Sequence, residues 1–352
     1  MKKLLCLLTA LVILISLAGC DIITPKLLEL LNTDACLNVH FIDVGQGDSI
    51  LMESDGEFVL IDAGEKEYGP AVLEYLKKCG ADRLKYMIAT HPHSDHIGGM
   101  RKVLDGIETD NFIAAETDQE TYAWLKVLRA VDKKNINYID AKVGDTYRFG
   151  EATFRILAPL SGNYEGYNNY SIVTMVECGD IRFLLTGDAE TDSEKEMVNA
   201  GEDLRADVLK CGHHGSSTST SAAFLQTVKP SYAIISCGKN NDYGHPHRET
   251  LKKLRLMQCT CLRTDTVGTI IASTDGTHLS FSTERGRKEI PTMDANERQE
   301  VEIGYVGNKN SHVFHYATCT GAMSMSEKNR VEFSTREEAI KEGYTPCASC
   351  EP

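Results

Sequence analysis

Net positive charge, repeated sequence and evenly spread histidine are all missing from this chain. Lys and Arg number 37 against 51 Asp and Glu, a formal net charge of −14. So acidic a chain excludes loose electrostatic binding of a polyanion, which needs a basic footprint, but not a nucleic acid held locally by metal ions. With no internal repeat and no low-complexity tract, solenoid and compositionally biased classes drop out. Histidine occurs eleven times, yet none lies between His96 and His213. Three fall within "HPHSDH", residues 91–96, directly after an apolar run.

What is present begins with a full complement of core residues: 352 residues at 42% apolar can bury one large domain and carry an appendage. Lys2 and Lys3 precede "LLCLLTALVILISLA", a run of signal-peptide length and short for a membrane span. It ends in "LAGC", Leu17 to Cys20, which resembles the lipobox of bacterial lipoproteins. That resemblance implies a signal peptide over 1–19, lipidation of Cys20 and an extracytoplasmic chain anchored to the membrane. An uncleaved signal anchor is the alternative. Loss of residues 1–19 removes two lysines and no acid, deepening the charge from −14 to −16. Of the twelve cysteines, Cys36, Cys79, Cys178, Cys211, Cys237, Cys259 and Cys261 lie outside the signal and the C-terminal cluster. Their number is odd and several sit in apolar runs, so they read as small hydrophobes rather than a disulfide framework.

A polar spacer over 20–36 leads into short strands, "LNVHFID", "DSILMES" and "FVLIDAG", then a helix near 69–79 and the buried strand "LKYMIAT". Helical periodicity recurs near 97–105, 119–134, 189–200, 219–228 and 248–258. Strands recur near 146–158, 171–178, 181–187, 206–211 and 231–237. "TIIASTDGTHLSFST" reads as a hairpin turning at Asp275-Gly276. Strands in two batches, each followed by helices, give an α/β domain over 37–284 with two sheets between helical layers. Residues 285–302 are charged and aperiodic, hence a linker, and 303–352 form a small module.

His91, His93, Asp95 and His96 sit where a rigid strand end meets a turn. That lets His91 and His93 serve one point while Asp95 and His96 serve another a few ångströms away. Imidazole with carboxylate suits zinc, iron or manganese. Gly98 and Gly99 allow close backbone approach. "IRFLLTGD" ends a strand in Asp188, a candidate bridge between two metals or a helix cap. "ADVLKCGHH" ends another in His213 and His214, and "YGHP" supplies His245 near a further strand end, as either a ligand or a phosphate contact.

"HPHSDH" matches the signature of the metallo-β-lactamase superfamily. "FIDVGQGDSIL", "IDAG", "NNYSIV", "LLTGD", "LKCGHHGSSTS" and "ISCGKNNDYGHP" follow the order of one branch of it, which holds ComEC-type DNA-uptake hydrolase domains and teichoic acid phosphorylcholine esterases. The resemblance spans roughly 37–284 and implies an αββα sandwich with a two-metal site, zinc or manganese, at one sheet edge. It implies that Asp188 bridges, that one of His213 and His214, with His214 favoured, completes the second metal with Asp95 and His96, and that Asp62 orients a liganding histidine. Lactamases and glyoxalases place a third histidine on metal one, within the interval where this chain has none. Metal one would hold His91, His93, Asp188 and solvent, with Asn168, Asn169 or Ser171 nearby. An open metal suits catalysis and moves the expectation from β-lactams to phosphodiesters. A metal-activated hydroxide would attack phosphorus, with Asp95, Asp188, His213 and His245 as catalytic residues and His245 or the free member of the 213/214 pair protonating the leaving oxygen. Asp43 and Asp48 read equally well as loop-capping acids or site residues.

In the module, His315-x3-Cys319 and Cys347-x2-Cys350 have the spacing of a closed structural zinc site; a redox pair of Cys347 with Cys350 is the alternative. His312 fits less well by spacing. Residues 305–352 resemble the zinc module of the Ada DNA-repair protein, which uses four cysteines. His315 in the first position favours a structural role over methyl acceptance. Three readings of function follow: a phosphodiesterase with nucleic acid as its first substrate to test, a phosphodiesterase of cell-wall teichoic acid or phosphorylcholine, and a non-catalytic DNA-binding surface protein using the zinc module.

Overall fold

A computed structural model of the chain describes residues 35–115, 121–286, 290–297 and 304–352. The segment read as a signal peptide, Cys20 and most of the segment read as a spacer lie outside the described residues. Among the described residues no helix is long and apolar enough to cross a membrane.

Two sheets stand face to face. The first has the order β16-β15-β14-β1-β2-β3-β4-β5-β6. It comprises β1 (Leu37–Phe41), β2 (Ile50–Ser54), β3 (Glu57–Ile61), β4 (Arg83–Ala89), β5 (Glu108–Ala114), β6 (Asn137–Asp140), β14 (Ile270–Thr274), β15 (His278–Thr283) and β16 (Met293–Asp294). The second, in the order β13-β12-β11-β10-β9-β8-β7, comprises β7 (Thr146–Phe149), β8 (Ala152–Ala158), β9 (Val173–Cys178), β10 (Ile181–Leu185), β11 (Val208–Lys210), β12 (Tyr232–Ile235) and β13 (Thr260–Arg263).

Side chains alternate across each strand, so one set of residues fills the space between the sheets and the other meets helices. Val39, Phe41, Met52, Val59 and Ile61 from the first sheet share a core with Phe154, Phe183, Leu185 and Ile234 from the second. Leu51 and Leu60 on the outer face of the first sheet pack against Val72 and Leu76 of helix Gly69–Lys78 and Val127 of helix Tyr122–Lys133. Leu184 and Leu209 on the outer face of the second pack against Met197, Phe224 and Leu254 of three further helices. The result is the four-layer αββα sandwich.

Several local readings change. The run near 146–158 is a hairpin, because Gly150 at φ +53° lets β7 turn back onto β8. Strands β5, β6 and β13 have no counterpart in the sequence reading; "ETDNFIA" opens on charge and masks its apolar end. The helix read over 97–105 is two, Ser94–Ile97 and Met100–Gly106. Part of the segment read as linker adds an edge strand, with β16 pairing Met293 to Leu279. Cys36 and Cys178, read as small hydrophobes, are joined in a disulfide that ties the N-terminal end of the domain to β9.

The last residues form a separate four-stranded sheet in the order β19-β17-β18-β20, from β17 (Tyr305–Asn308), β18 (Val313–Tyr316), β19 (Arg330–Phe333) and β20 (Thr345–Pro346). Its apolar clusters are small: Phe314, Phe333 and Ala339 in one, Val306, Cys319, Ala322 and Cys350 in the other. The second also receives Ala222 of the hydrolase-fold domain. The Lys195 ammonium lies 2.5 Å from Glu351, and Lys252 donates to the Met323 carbonyl at 2.8 Å.

Candidate dimetal site

The chemistry-bearing residues arrive at one sheet edge because parallel strands end there. β3 delivers Asp62 and β4 delivers Thr90 to His96. In the second sheet β10 runs into Asp188, β11 into His213 and His214, and β12 into the loop that carries His245, while β9 starts at this edge just after Ser171. A Cβ on Gly47, at φ +129°, would stand 2.1 Å from the Asp95 carbonyl oxygen, so the loop bearing Asp48 reaches the histidine turn only with glycine there. A Cβ on Gly99 would stand 2.2 Å from the Ala63 oxygen.

Ligand atoms converge in two groups that share Asp188: His91, His93 and Asp188 form one, and the other holds His96, Asp188 and His214 together with Asp48. Hydrogen bonds set which ring nitrogens are free. His96 Nδ1 donates to Asp62 at 2.7 Å, leaving Nε2 as the bare lone pair, fully buried and without a hydrogen-bond partner. His214 Nδ1 donates to the Ser236 carbonyl at 3.0 Å, so its Nε2 faces Asp95 at 3.2 Å and Asp188 at 3.4 Å. Thr90 gives its hydroxyl to Asp62 at 2.6 Å, and it and Ser171 stand at 3.1 and 3.2 Å from His91 Nδ1. With that nitrogen taken, His91 Nε2 points at His93 Nδ1, 2.9 Å away. Two ring nitrogens so close need a shared proton or a shared cation between them.

Asp188 reaches both groups: Oδ1 lies 3.2 Å from His96 Nε2, and Oδ2 lies 3.9 Å from His91 Nε2. Its Oδ1 is buried and has no hydrogen-bond partner. Burial alone would raise the Asp188 carboxyl; His214 and His96 outweigh it and hold it well below the usual carboxylate range. His91 is pushed the other way, chiefly by its burial, and stays neutral as a ligand must. Unpartnered lone pairs on His96 and Asp188, neutral His91 and an ionised shared carboxylate together fit a pair of divalent cations.

Asp48 contacts the Nδ1 side of the rings, 3.6 Å from His214 and 4.0 Å from His96, whereas Asp95 and Asp188 face the Nε2 side. We therefore place it behind the imidazoles, clamped by Lys210. The Lys210 ammonium is fully buried, 2.6 Å from Asp48 and 3.0 Å from the Gly187 carbonyl. Burial opposes its charge, but Asp48 and then Asp188 hold its pKa up. Removing one partner of such a pair strands the other charge, at a cost of about 3–5 kcal/mol. Lys210→Met should lower the thermal unfolding midpoint by roughly 10 °C, and adding Asp48→Asn should recover most of it. A single variant that melts with the wild type removes this role.

The other sequence-derived candidates separate. Ser171 accepts from the Asp188 amide at 3.0 Å and so holds two ligands at once. Asn169 faces away: its Oδ1 accepts from the Glu190 and Ser193 amides and caps helix Thr191–Asn199, the role that Asp188 was weighed for. Asp43 accepts from Gly45 and pairs with Arg285, a loop cap. His213 lies with Nε2 3.9 Å from Asp188 and gives Nδ1 to Glu190 at 2.9 Å. His213 and His214 both have left-handed backbones, φ +46° and +54°, a strained arrangement that turns adjacent side chains toward one site. His245 belongs to neither ligand group; its ring stands 5.3 Å from His213, and burial followed by neighbouring imidazoles pushes it down to about 4.

Sequence reasoning missed Lys210 and Glu190. A lysine inside the apolar run "ADVLKCG" was the available signal for the first; "GDAE", an acid two residues past the bridge, was the signal for the second.

In the module, His315, Cys319, Cys347 and Cys350 bring four ligand atoms together, with Cys319 Sγ 3.4 Å from His315 Nδ1. A hydrogen bond from Cys350 holds the Cys319 thiol down to about 5, against the opposing effect of burial. The cluster fits a tetrahedral zinc site. His312 lies outside it, its ring against Tyr344 at 5.0 Å.

An αββα sandwich with a buried Asp/His dimetal site at one sheet edge defines a metal-dependent hydrolase fold. The chain belongs to the metallo-β-lactamase superfamily, whose family model matches residues 42–239, more than half of the chain. It is 36% identical over 256 residues to ComE operon protein 3 of Bacillus subtilis, covering 66% of this chain and 32% of that protein. It is 30% identical over 230 residues to competence protein ComA of Neisseria gonorrhoeae, covering 65% of this chain and 31% of that one. The chain thus spans about a third of the length of these relatives. Among solved structures it is similar to the metallo-β-lactamase fold protein YhfI from Bacillus subtilis, with a TM-score of 0.45 and 16% identity, covering 64% of this chain and 95% of that one.

Proposed function

We propose that the protein is an extracytoplasmic, lipid-anchored phosphodiesterase acting on nucleic acid. The observation that carries the chemistry is the composition of the first ligand group, which among the described residues holds His91, His93 and Asp188. A group with so few protein ligands leaves room for a substrate oxygen and a nucleophile, as a catalytic rather than structural site requires. Two divalent cations bound there would supply a hydroxide at neutral pH and stabilise charge on the phosphoryl oxygens. The chain's own residues do the rest. Asp62, Thr90 and Ser171 fix the tautomers and ring planes of His96 and His91. Glu190 accepts a hydrogen bond from His213 Nδ1, which turns His213 Nε2 to the site side, where it would serve as the proton donor to a leaving alkoxide.

Two relatives bear the names ComE operon protein 3 and competence protein ComA, which supports DNA as the polymer. The lipobox-like Cys20 supports membrane anchoring. The Cys36–Cys178 disulfide supports an oxidising compartment outside the cytoplasm. Purified protein with Mn²⁺ or Zn²⁺, given single-stranded DNA, duplex DNA and choline-bearing teichoic acid, should cleave DNA. Release of phosphorylcholine with DNA left intact would replace this reading with the cell-wall one. Binding of DNA without turnover of any substrate would leave a binding protein.

A further inference from the structure

Aromatic side chains stand at both ends of the row of imidazoles. Tyr243 is 67% exposed and lies nearly parallel to His245, ring centroids 5.6 Å apart and planes at 20°. Its loop is fixed from within: Asn241 donates to the Gly238 and His245 carbonyls at 2.9 and 2.6 Å and accepts from the Tyr243 and His245 amides at 3.2 and 2.9 Å. The ring is therefore held out to solvent by a tied turn. At the other end, half-buried Tyr167 stands edge-on to His93 at 5.1 Å and 80°.

Between the two tyrosines the imidazoles touch in sequence. His93 meets His91 at 4.7 Å and His91 meets His96 at 4.2 Å. His96 meets His214 at 5.2 Å, and His214 meets His245 at 6.2 Å. Topology sets the tyrosines on different flanks. Tyr167 precedes β9 and Tyr243 follows β12, with the ends of β10 and β11, bearing Asp188 and the 213/214 pair, between them.

We infer that Tyr243 and Tyr167 are stacking platforms for the two nucleobases flanking the scissile phosphodiester, one on each side of the dimetal site. The inference rests on the phosphodiesterase reading above and names its specificity residues. Every base offers a π face, so stacking is tolerant of sequence and independent of charge. That matters for a chain with a net charge of −14, which gains little from phosphate contacts far from the metals. A quaternary ammonium needs several aromatic faces around one point, whereas Tyr243 and Tyr167 come from different loops and each stands against a different imidazole. Bases in a duplex spend their faces on stacking with one another, so an aromatic side chain takes up a base only once it is unstacked. The site therefore selects single strands.

The test uses the full, metal-loaded protein and three substrates of one length: a single-stranded DNA, the same strand with abasic residues, and its duplex. Wild type should show a kcat/KM on the base-bearing strand at least about tenfold above the abasic strand, with the duplex slower still. Tyr243→Ala should cut the base-bearing to abasic ratio about tenfold, Tyr167→Ala should cut it likewise, and Tyr243→Phe should keep it. A wild type that cleaves base-bearing and abasic strands equally, or two alanine variants that keep the full ratio, overturns the platforms while leaving the phosphodiesterase intact. A wild type that cleaves no strand but hydrolyses bis(p-nitrophenyl) phosphate or teichoic acid overturns the nucleic acid reading, and the platforms with it.

Discussion

Asp188→Ala should bring hydrolysis of bis(p-nitrophenyl) phosphate down to the level of free metal, a loss on the order of a thousandfold or more. Among the described residues Asp188 is the side chain shared by the two ligand groups: its two oxygens lie within 3.2 Å of His96, 3.4 Å of His214 and 3.9 Å of His91. Without it, the His91/His93 group has no carboxylate, and the His96/His214 group keeps only Asp95 at its Nε2 face. The bound-metal count should fall by about two per chain, leaving the module's ion. Because the buried cluster loses a negative charge, folding is checked separately by circular dichroism. A folded Asp188→Ala protein that still turns over at the wild-type rate removes the assignment of the bridge.

Cys350→Ser should release one metal ion per chain and expose residues 304–352 to protease, with the hydrolase-fold domain left resistant. The reason is the size of the module's core. Phe314, Phe333 and Ala339 on one side and four small or medium residues on the other cannot offset the ordering of some fifty residues. Structural zinc in small modules contributes an apparent ~10–16 kcal/mol at neutral pH, which in this module would be the larger share of stability. Cys350 packs against Val306 and Ala322 as well as facing Cys319. Cys347→Ser, at a less buried ligand, therefore separates loss of metal from loss of packing. A chelated or Cys-substituted module that stays protease-resistant would show that the sheet stands without metal.

The metal-facing side chains were legible because each is delivered by a contiguous motif at a strand end: "HPHSDH", "LLTGD" and "GHH". Apolar alternation followed by a ligand is visible without knowing any partner. What escaped is defined by partners remote in sequence. Asp48 reads equally as a turn acid or a site residue until β11 brings Lys210 to 2.6 Å. Glu190 reads as a helix-start acid until His213 turns onto it. That turn depends on consecutive left-handed residues, which no propensity rule anticipates for a histidine pair. Asn169 shows the opposite failure: a polar residue beside the site in sequence whose hydrogen bonds are spent on a helix end. Edge strands were missed for a related reason, since β6 reads "NYID" and its pairing to β5 depends on register rather than on hydrophobic pattern. The Cys36–Cys178 bond joins segments that only the stacking of the two sheets brings together.

The most direct test of a two-metal phosphodiesterase is a titration. Protein with its hydrolase site stripped of metal is loaded stepwise with Mn²⁺, and cleavage of a single-stranded oligonucleotide is followed against ions bound. The rate should rise with loading and level off at two ions beyond that of the C-terminal module. No cleavage with both positions filled, or a rate that matches the stripped protein throughout, would contradict it.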